Sequence, residues 1–166
     1  MVATAGDDAA LDRSFVRLEA STRVDLDPAR VGEILEGPAG RWLPGAEPLP
    51  ETGGLRRHAV DLRLRVGRDD AAVTTFRKAA VLDLGPVHRV GSGYEVQISW
   101  RAAKGAPLFP VFSGLLSVGP RELRIEGLYA PPGGVVGRIA DRVLLHTAAN
   151  ATARWLLGEL ERAARG

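Results

Sequence analysis

The side chains of this chain best suited to acid–base or polar-anchoring chemistry gather near its C-terminal end, in HTAANATARW (146–155). His146 and Asn150 stand four residues apart, with Thr147 and Arg154 alongside. If the stretch is helical, these groups share one region of its surface. An imidazole there could give or take a proton, and Asn150 or Arg154 could hold an enolate oxygen. The same residues also fit a plainer role, as a boundary His and Asn satisfied by neighbours such as Tyr129 or by water. Other chemistry finds little support. There is no cysteine, and His58, His88 and His146 lie far apart without a second ligand at helical spacing, so no metal and no cofactor is expected. GxxxxGK[ST] and GxSxG are absent. Gly91-Ser92-Gly93 reads as a turn, and Ser113 before Gly114 lies in a strand pattern. Carboxylates are spread over alternating positions. Asp83 is the one whose facing is ambiguous, because Phe76, Leu82 and Leu84 would turn inward together with Lys78.

Composition narrows the class. The 166 residues are 45% apolar and 25% charged, ordinary for a soluble globular domain. The pI near 9.5 overstates the basicity, since the formal net charge is +2 and the cations are almost all arginine. Acidic and basic residues interleave without runs of like charge, which disfavours a nucleic-acid partner. No apolar run reaches membrane-spanning length, and MVATAGDDAALDR is acidic where a signal peptide would be basic, so a cytoplasmic protein with no integral membrane segment is expected.

The elements that must position the candidate groups follow from periodicity. Residues 1–13 are small and acidic and read as a disordered tail, leaving 14–166 as a single domain. SFVRLEASTRVDL (14–26) alternates as a strand with one wet face. Asp27-Pro28 opens a short helix that Gly37 can end, PAGRWLPG allows a second short helix, and the Pro- and Gly-rich segment to Gly54 reads as loop. Period two then dominates: HAVDLRLRV (58–66), a turn at GRDD (67–70), AAVTTFRKAAVLDL (71–84), GYEVQISW (93–100), FPVFSGLLSV (109–118) and ELRIEGLY (122–129). From about Val135 to Ala164 the period becomes helical, giving a rod of about 45 Å. An antiparallel sheet wet on one face needs the other covered, and the long helix with the short pair is available to cover it. The expected fold is α+β, a helix-grip of six to seven curved antiparallel strands, two short helices after the first strand and a long C-terminal helix.

The segment DPARVGEILEGPAGRWLPG (27–45), together with FPVFSGLLSV and the helix led by PPGG, resembles the START-like/Bet v1-like superfamily, specifically the bacterial SRPBCC group related to polyketide cyclases and dehydrases. The likeness in element order covers about residues 14–164. LEGPAGRW leaves little room for a full second helix. The resemblance implies a cavity between sheet and helix that takes a small hydrophobic or amphipathic molecule, with catalysis in only some members.

A seam through Val135, Ile139, Val143, His146, Asn150, Ala153, Leu157, Leu160 and Ala164 advances at the helical step, with a polar middle. Such groups on a dry sheet would each cost about 1–3 kcal/mol if unsatisfied, so they meet protein partners, solvent or a cavity. The candidate ligand-binding residues are Val143, His146, Asn150 and Arg154 on the helix, Trp42 after the short helices, and Leu62, Leu64, Tyr94, Val96, Ile98, Trp100, Phe112, Leu116, Ile125 and Tyr129 on the strands. Each strand residue also fits ordinary core packing, and Trp42 fits either a rim or a staple between helices and sheet. The expected function is a binding or carrier module, with no assigned catalytic residue. The alternatives are an aromatase/cyclase-like enzyme using His146 as acid or base, and a protein-interaction adaptor using the outer sheet.

Overall fold

The alternation of the first strand is realised as β1 (Val16–Arg23), with Leu18 and Ala20 buried and Arg17, Glu19 and Ser21 exposed. In this computed structural model residues 15–66, 74–103, 111–130 and 139–166 are described, of which 63–66, 74–78 and 139–145 are described as backbone only. The N-terminal tail, the GRDD turn and the start of the helical period at 135–138 therefore lie outside the described residues, as do the side chains of Leu64, Phe76, Lys78 and Val143.

Helix α1 (Pro28–Glu36) starts as its sequence dictates. The Asp27 carboxylate accepts a hydrogen bond from the Ala29 N–H at 3.0 Å, and Pro28 opens the first turn. It stops for a different reason from the one the glycine suggested. Gly37 has φ −75° and ψ −178°, an extended conformation open to any residue and favoured before Pro38. The freed carbonyls of the last turn are taken by a residue far along the chain. The Arg56 guanidinium donates to Leu35 O at 2.7 Å and to Glu36 O and Gly37 O at 3.2 Å each. The expected second helix is a single 3-10 turn, Ala39–Arg41.

Seven strands form one antiparallel sheet in the order β1-β7-β6-β5-β4-β3-β2: β2 (Glu47–Thr52), β3 (Leu55–Val66), β4 (Thr74–Val90), β5 (Gly93–Ala102), β6 (Val111–Val118) and β7 (Glu122–Ala130). Two details depart from the sequence expectation. β2 occupies the segment expected as loop. It is an edge strand, where Pro48 and Pro50 need not donate to a neighbour on the open side. β4 continues past Leu84 through Gly85 and Pro86 to Val90. Its pairing with β3 ends at Arg56, opposite Leu84, and the β5 register shifts between Leu84 and Val87, so the proline sits in a bulge. The facing of β4 is resolved as well: Ala80, Leu82 and Leu84 are buried on the concave side, and Asp83 lies on the back.

Helix α2 (Ile139–Arg165) has 27 residues, about 40 Å of rod. It makes close backbone approaches to β1 and β7 on one side of the curled sheet and to β3 on the other, while α1 lies against β4, β5 and β6. The core therefore sits between the concave face and the two helices. Gly32 faces the Tyr94 ring so closely that a Cβ there would stand 3.0 Å from it, which fixes how near α1 comes to β5.

Candidate functional site

Register places one row of side chains straight across the concave face. Pro48 pairs with His58, His58 with Leu82, Leu82 with Trp100, Trp100 with Phe112, Phe112 with Tyr129, and Tyr129 with Val16. Neighbouring strands lie about 4.8 Å apart, so the row crosses all seven. The Trp100 and Phe112 rings stack with centroids 3.9 Å apart at 18°. Phe112 can lie so low because the glycine pair Gly114 and Gly127 is next to it. A Cβ at Gly114 would come 2.7 Å from the Phe112 ring and 2.1 Å from Glu126 O.

The polar atoms of this interior are poorly served. His58, Trp100 and Trp42 are 7%, 1% and 2% exposed, and His58 Nδ1, Trp100 Nε1 and Trp42 Nε1 have no hydrogen-bond partner among the described residues. Burial lowers the His58 pKa, as does the charge of Arg56; the Arg56 backbone and Asp83 pull the other way without reversing it, and the imidazole stays neutral near pH 7. At the far end of the row Tyr129 is buried, its hydroxyl 3.3 Å from His146 Nδ1 and its pKa raised by desolvation.

The helix seam is rotated from its expected position. Ala149, Ala153, Leu156, Leu157, Leu160 and Ala164 are buried, so Ala153, Leu157, Leu160 and Ala164 lie as expected, while Ala149 takes the place given to Asn150. One step of four instead of three, back from Ala153, exchanges a carboxamide for a methyl group at the interface, and the methyl group costs nothing to desolvate. His146 and Arg154 are exposed and Asn150 is half-buried. Asn150 Nδ2 donates to His146 O at 3.0 Å, a bond within its own helix. Thr152, buried beside the seam, donates to Ala148 O at 3.0 Å. Asn150 and Thr152 are thus satisfied locally at the border of the interior, and His146 reaches the concave row through Tyr129.

The candidate strand residues are brought together. Leu62, Val96, Ile98, Trp100, Phe112, Leu116, Ile125 and Tyr129 are all buried on the concave side, with Tyr94 partly buried under α1. Trp42 is buried with Ala39 and Leu43, the position of a staple and not of an exposed rim. His58 joins them although the candidate set omitted it; its parity with Val60 and Leu62 is the signal that marks it. Two solvent-open concavities lie elsewhere. One of about 340 Å³ is lined by Tyr94, Glu95, Arg124 and Glu126 among others, and one of about 370 Å³ by Arg30, Glu33, Ile34, Arg41 and Ala163. Neither includes the aromatic row.

On the back of the sheet Asp83 is held by Arg57 Nε at 2.8 Å and Arg101 Nη1 at 2.7 Å. Burial pushes its carboxyl pKa up, but the hydrogen bonds and charges of the two arginines outweigh this and keep it below the ordinary carboxylate range. Further along that face Phe15, Val111, Leu115 and Leu128 are exposed, so it is less uniformly charged than the sequence alternation suggests. Among the described residues no group of three or more His, Asp or Glu is placed to hold a metal ion, and no helix is long and apolar enough to cross a membrane.

No protein-family model and no curated protein matches the sequence. Solved structures do match. The di-domain ARO/CYC BexL from the BE-7585A biosynthetic pathway superposes with a TM-score of 0.58 at 14% identity, over 92% of this chain and 50% of that one, so this chain spans half its length. TTHA0849 from Thermus thermophilus gives 0.53 at 14% identity over 90% and 97% of the two chains. Ara h 8.0201 gives 0.52 at 10% identity over 91% and 98%. The likeness is one of fold: with its seven-stranded curved antiparallel sheet and long C-terminal helix, this chain has the Bet v1/START-like helix-grip fold.

Proposed function

We propose that the chain binds a small hydrophobic or amphipathic molecule between the concave face of the sheet and α2. The observation that carries this reading is the row His58–Leu82–Trp100–Phe112–Tyr129, apolar in area yet holding buried nitrogens without partners. With Trp42 there are three such nitrogens among the described residues of this interior, each costing about 1–3 kcal/mol. Their sum is comparable with the whole stability of a typical domain, about 5–15 kcal/mol. A molecule that meets them and covers the aromatic rings recovers part of that cost, and so favours a conformation in which α2 stands slightly further from the sheet. A fold shared with an ARO/CYC protein supports the reading by analogy only.

A direct acid–base role for His146 fits less well. The ring is exposed and touches the interior through the Tyr129 hydroxyl. Binding is therefore the function put forward, ahead of cyclisation.

The test is native mass spectrometry of the gently purified protein, followed by thermal melting with fatty acids, isoprenoids and aromatic polyketides. A ligand at a hundred times its Kd should stabilise by about 2.7 kcal/mol. Absence of both a retained molecule and any thermal shift across the panel refutes the proposal.

A further inference from the structure

We propose that His58 and Trp100 form the polar recognition pair of this site, selecting an uncharged, flat molecule that carries hydrogen-bond-accepting oxygens over a carboxylate-headed chain. The inference rests on the binding function proposed above and gives it a ligand class. Both residues face the concave side from one cross-strand row, separated by Leu82 on the strand between them, which puts their backbones about 10 Å apart. Both are more than nine-tenths buried and each has a ring nitrogen without a partner.

The chemistry of the two groups sets the ligand. An indole N–H can only donate, so Trp100 calls for an acceptor oxygen. His58 offers a donor or an acceptor, but no charge, because burial and Arg56 keep it neutral. The Trp100–Phe112 stack presents flat aromatic surface beside these atoms. A carboxylate would need a counter-charge to offset its desolvation. Among the described side chains turned to this face the nearby cation is Arg56, and its guanidinium is occupied by three carbonyls at the end of α1. Ketone, ether or phenol oxygens on a fused ring meet the donors without that cost.

Three naphthalenes of matched shape separate the possibilities: 2-acetylnaphthalene with an acceptor carbonyl, 2-isopropylnaphthalene with none, and 2-naphthoate with a charge. Titration calorimetry on the whole chain should show the ketone binding about tenfold tighter than the hydrocarbon, as one well-made hydrogen bond to an otherwise unpaired donor allows, with the carboxylate weakest. Trp100→Phe, which keeps the stacked ring, and His58→Phe should each shrink the ketone's advantage and leave hydrocarbon binding nearly unchanged. In the wild-type protein the Trp100 indole N–H resonance should move with the ketone and stay with the hydrocarbon, a readout independent of how well the variants fold. Equal affinity for ketone and hydrocarbon would overturn the recognition pair while leaving a ligand site intact. Tightest binding of the carboxylate would also overturn it. No binding of any of the three overturns this inference, whereas the function beneath it falls only if the wider panel of fatty acids, isoprenoids and aromatic polyketides also fails.

Discussion

Replacing Asp83 by Ala should lower stability by about 2–3 kcal/mol. The carboxylate is only 4% exposed and takes hydrogen bonds from Arg57 at 2.8 and 3.4 Å and from Arg101 at 2.7 Å. Removing one member of a fully buried ion pair costs about 3–5 kcal/mol. The two arginines here keep side-chain exposures of 24% and 39%, so water can reach them once Asp83 is gone, and the expected loss is smaller. For a chain of this size it corresponds to a fall in Tm of roughly 4–12 °C. Asp83→Asn retains one acceptor and should lose about half as much. The acid dependence supplies a second check. The Asp83 carboxyl is held below its ordinary value of 3.8, so its contribution is present above that pH and disappears as pH falls through the lower folded-state value. Urea unfolding of wild type and Asp83→Asn at a series of pH values should therefore show two stabilities that differ near neutrality and converge in acid. A loss under about 0.5 kcal/mol for Asp83→Ala, the range of an ordinary surface substitution, or a gap independent of pH, would refute the account of this cluster.

Arg56→Ala should cost about 1–2 kcal/mol, because three carbonyls at the end of α1 lose a cationic donor, and amide hydrogen exchange should speed up first in the last turn of α1. The same change should raise the His58 pKa, measured from the imidazole C–H shifts, since it removes a neighbouring positive charge. His58 itself should make the protein acid-sensitive. Its folded-state pKa is depressed, so below about 6.5 the unfolded chain takes up a proton that the folded chain refuses, and stability falls. His58→Phe should flatten the slope of stability as pH falls below about 6.5. Gly158→Ala, in α2 where a Cβ meets nothing within 4 Å, should stabilise by about 0.5–1 kcal/mol in thermal or urea unfolding.

The strand faces were legible because alternation is a local property. Leu18 and Ala20, Val60 and Leu62, Val96, Ile98 and Trp100 point inward as their spacing demands. What could not be read depended on neighbours distant in sequence. β2 looks like loop by composition and exists as a strand because β3 lies beside it. The bulge at Gly85-Pro86 is tolerated because pairing with β3 has already ended. The cap on α1 comes from Arg56, some twenty residues on. On α2, steps of three and four are equally helical, so periodicity alone could not choose between Asn150 and Ala149. Burial chose the methyl group. The inward parity of His58 was open to view, since it heads the run HAVDLRLRV. Pro48 and Leu82, on either side of it, offer its ring no side-chain hydrogen bond.

The two faces of the sheet centre are linked residue by residue. Arg57 adjoins His58, Asp83 adjoins Leu82, and Arg101 adjoins Trp100, so the ion cluster on the back and the row on the front are consecutive positions of the same three strands. A slip of β4 by one residue would turn Asp83 into the apolar interior, away from both arginines, and send Leu82 to the wet face. The penalty for that slip is what holds His58, Leu82 and Trp100 in a single line. Polar groups are thus divided by role, with charges that fix register facing out and neutral ring nitrogens left unsatisfied facing in. The inward set is where a bound molecule can gain most from hydrogen bonding.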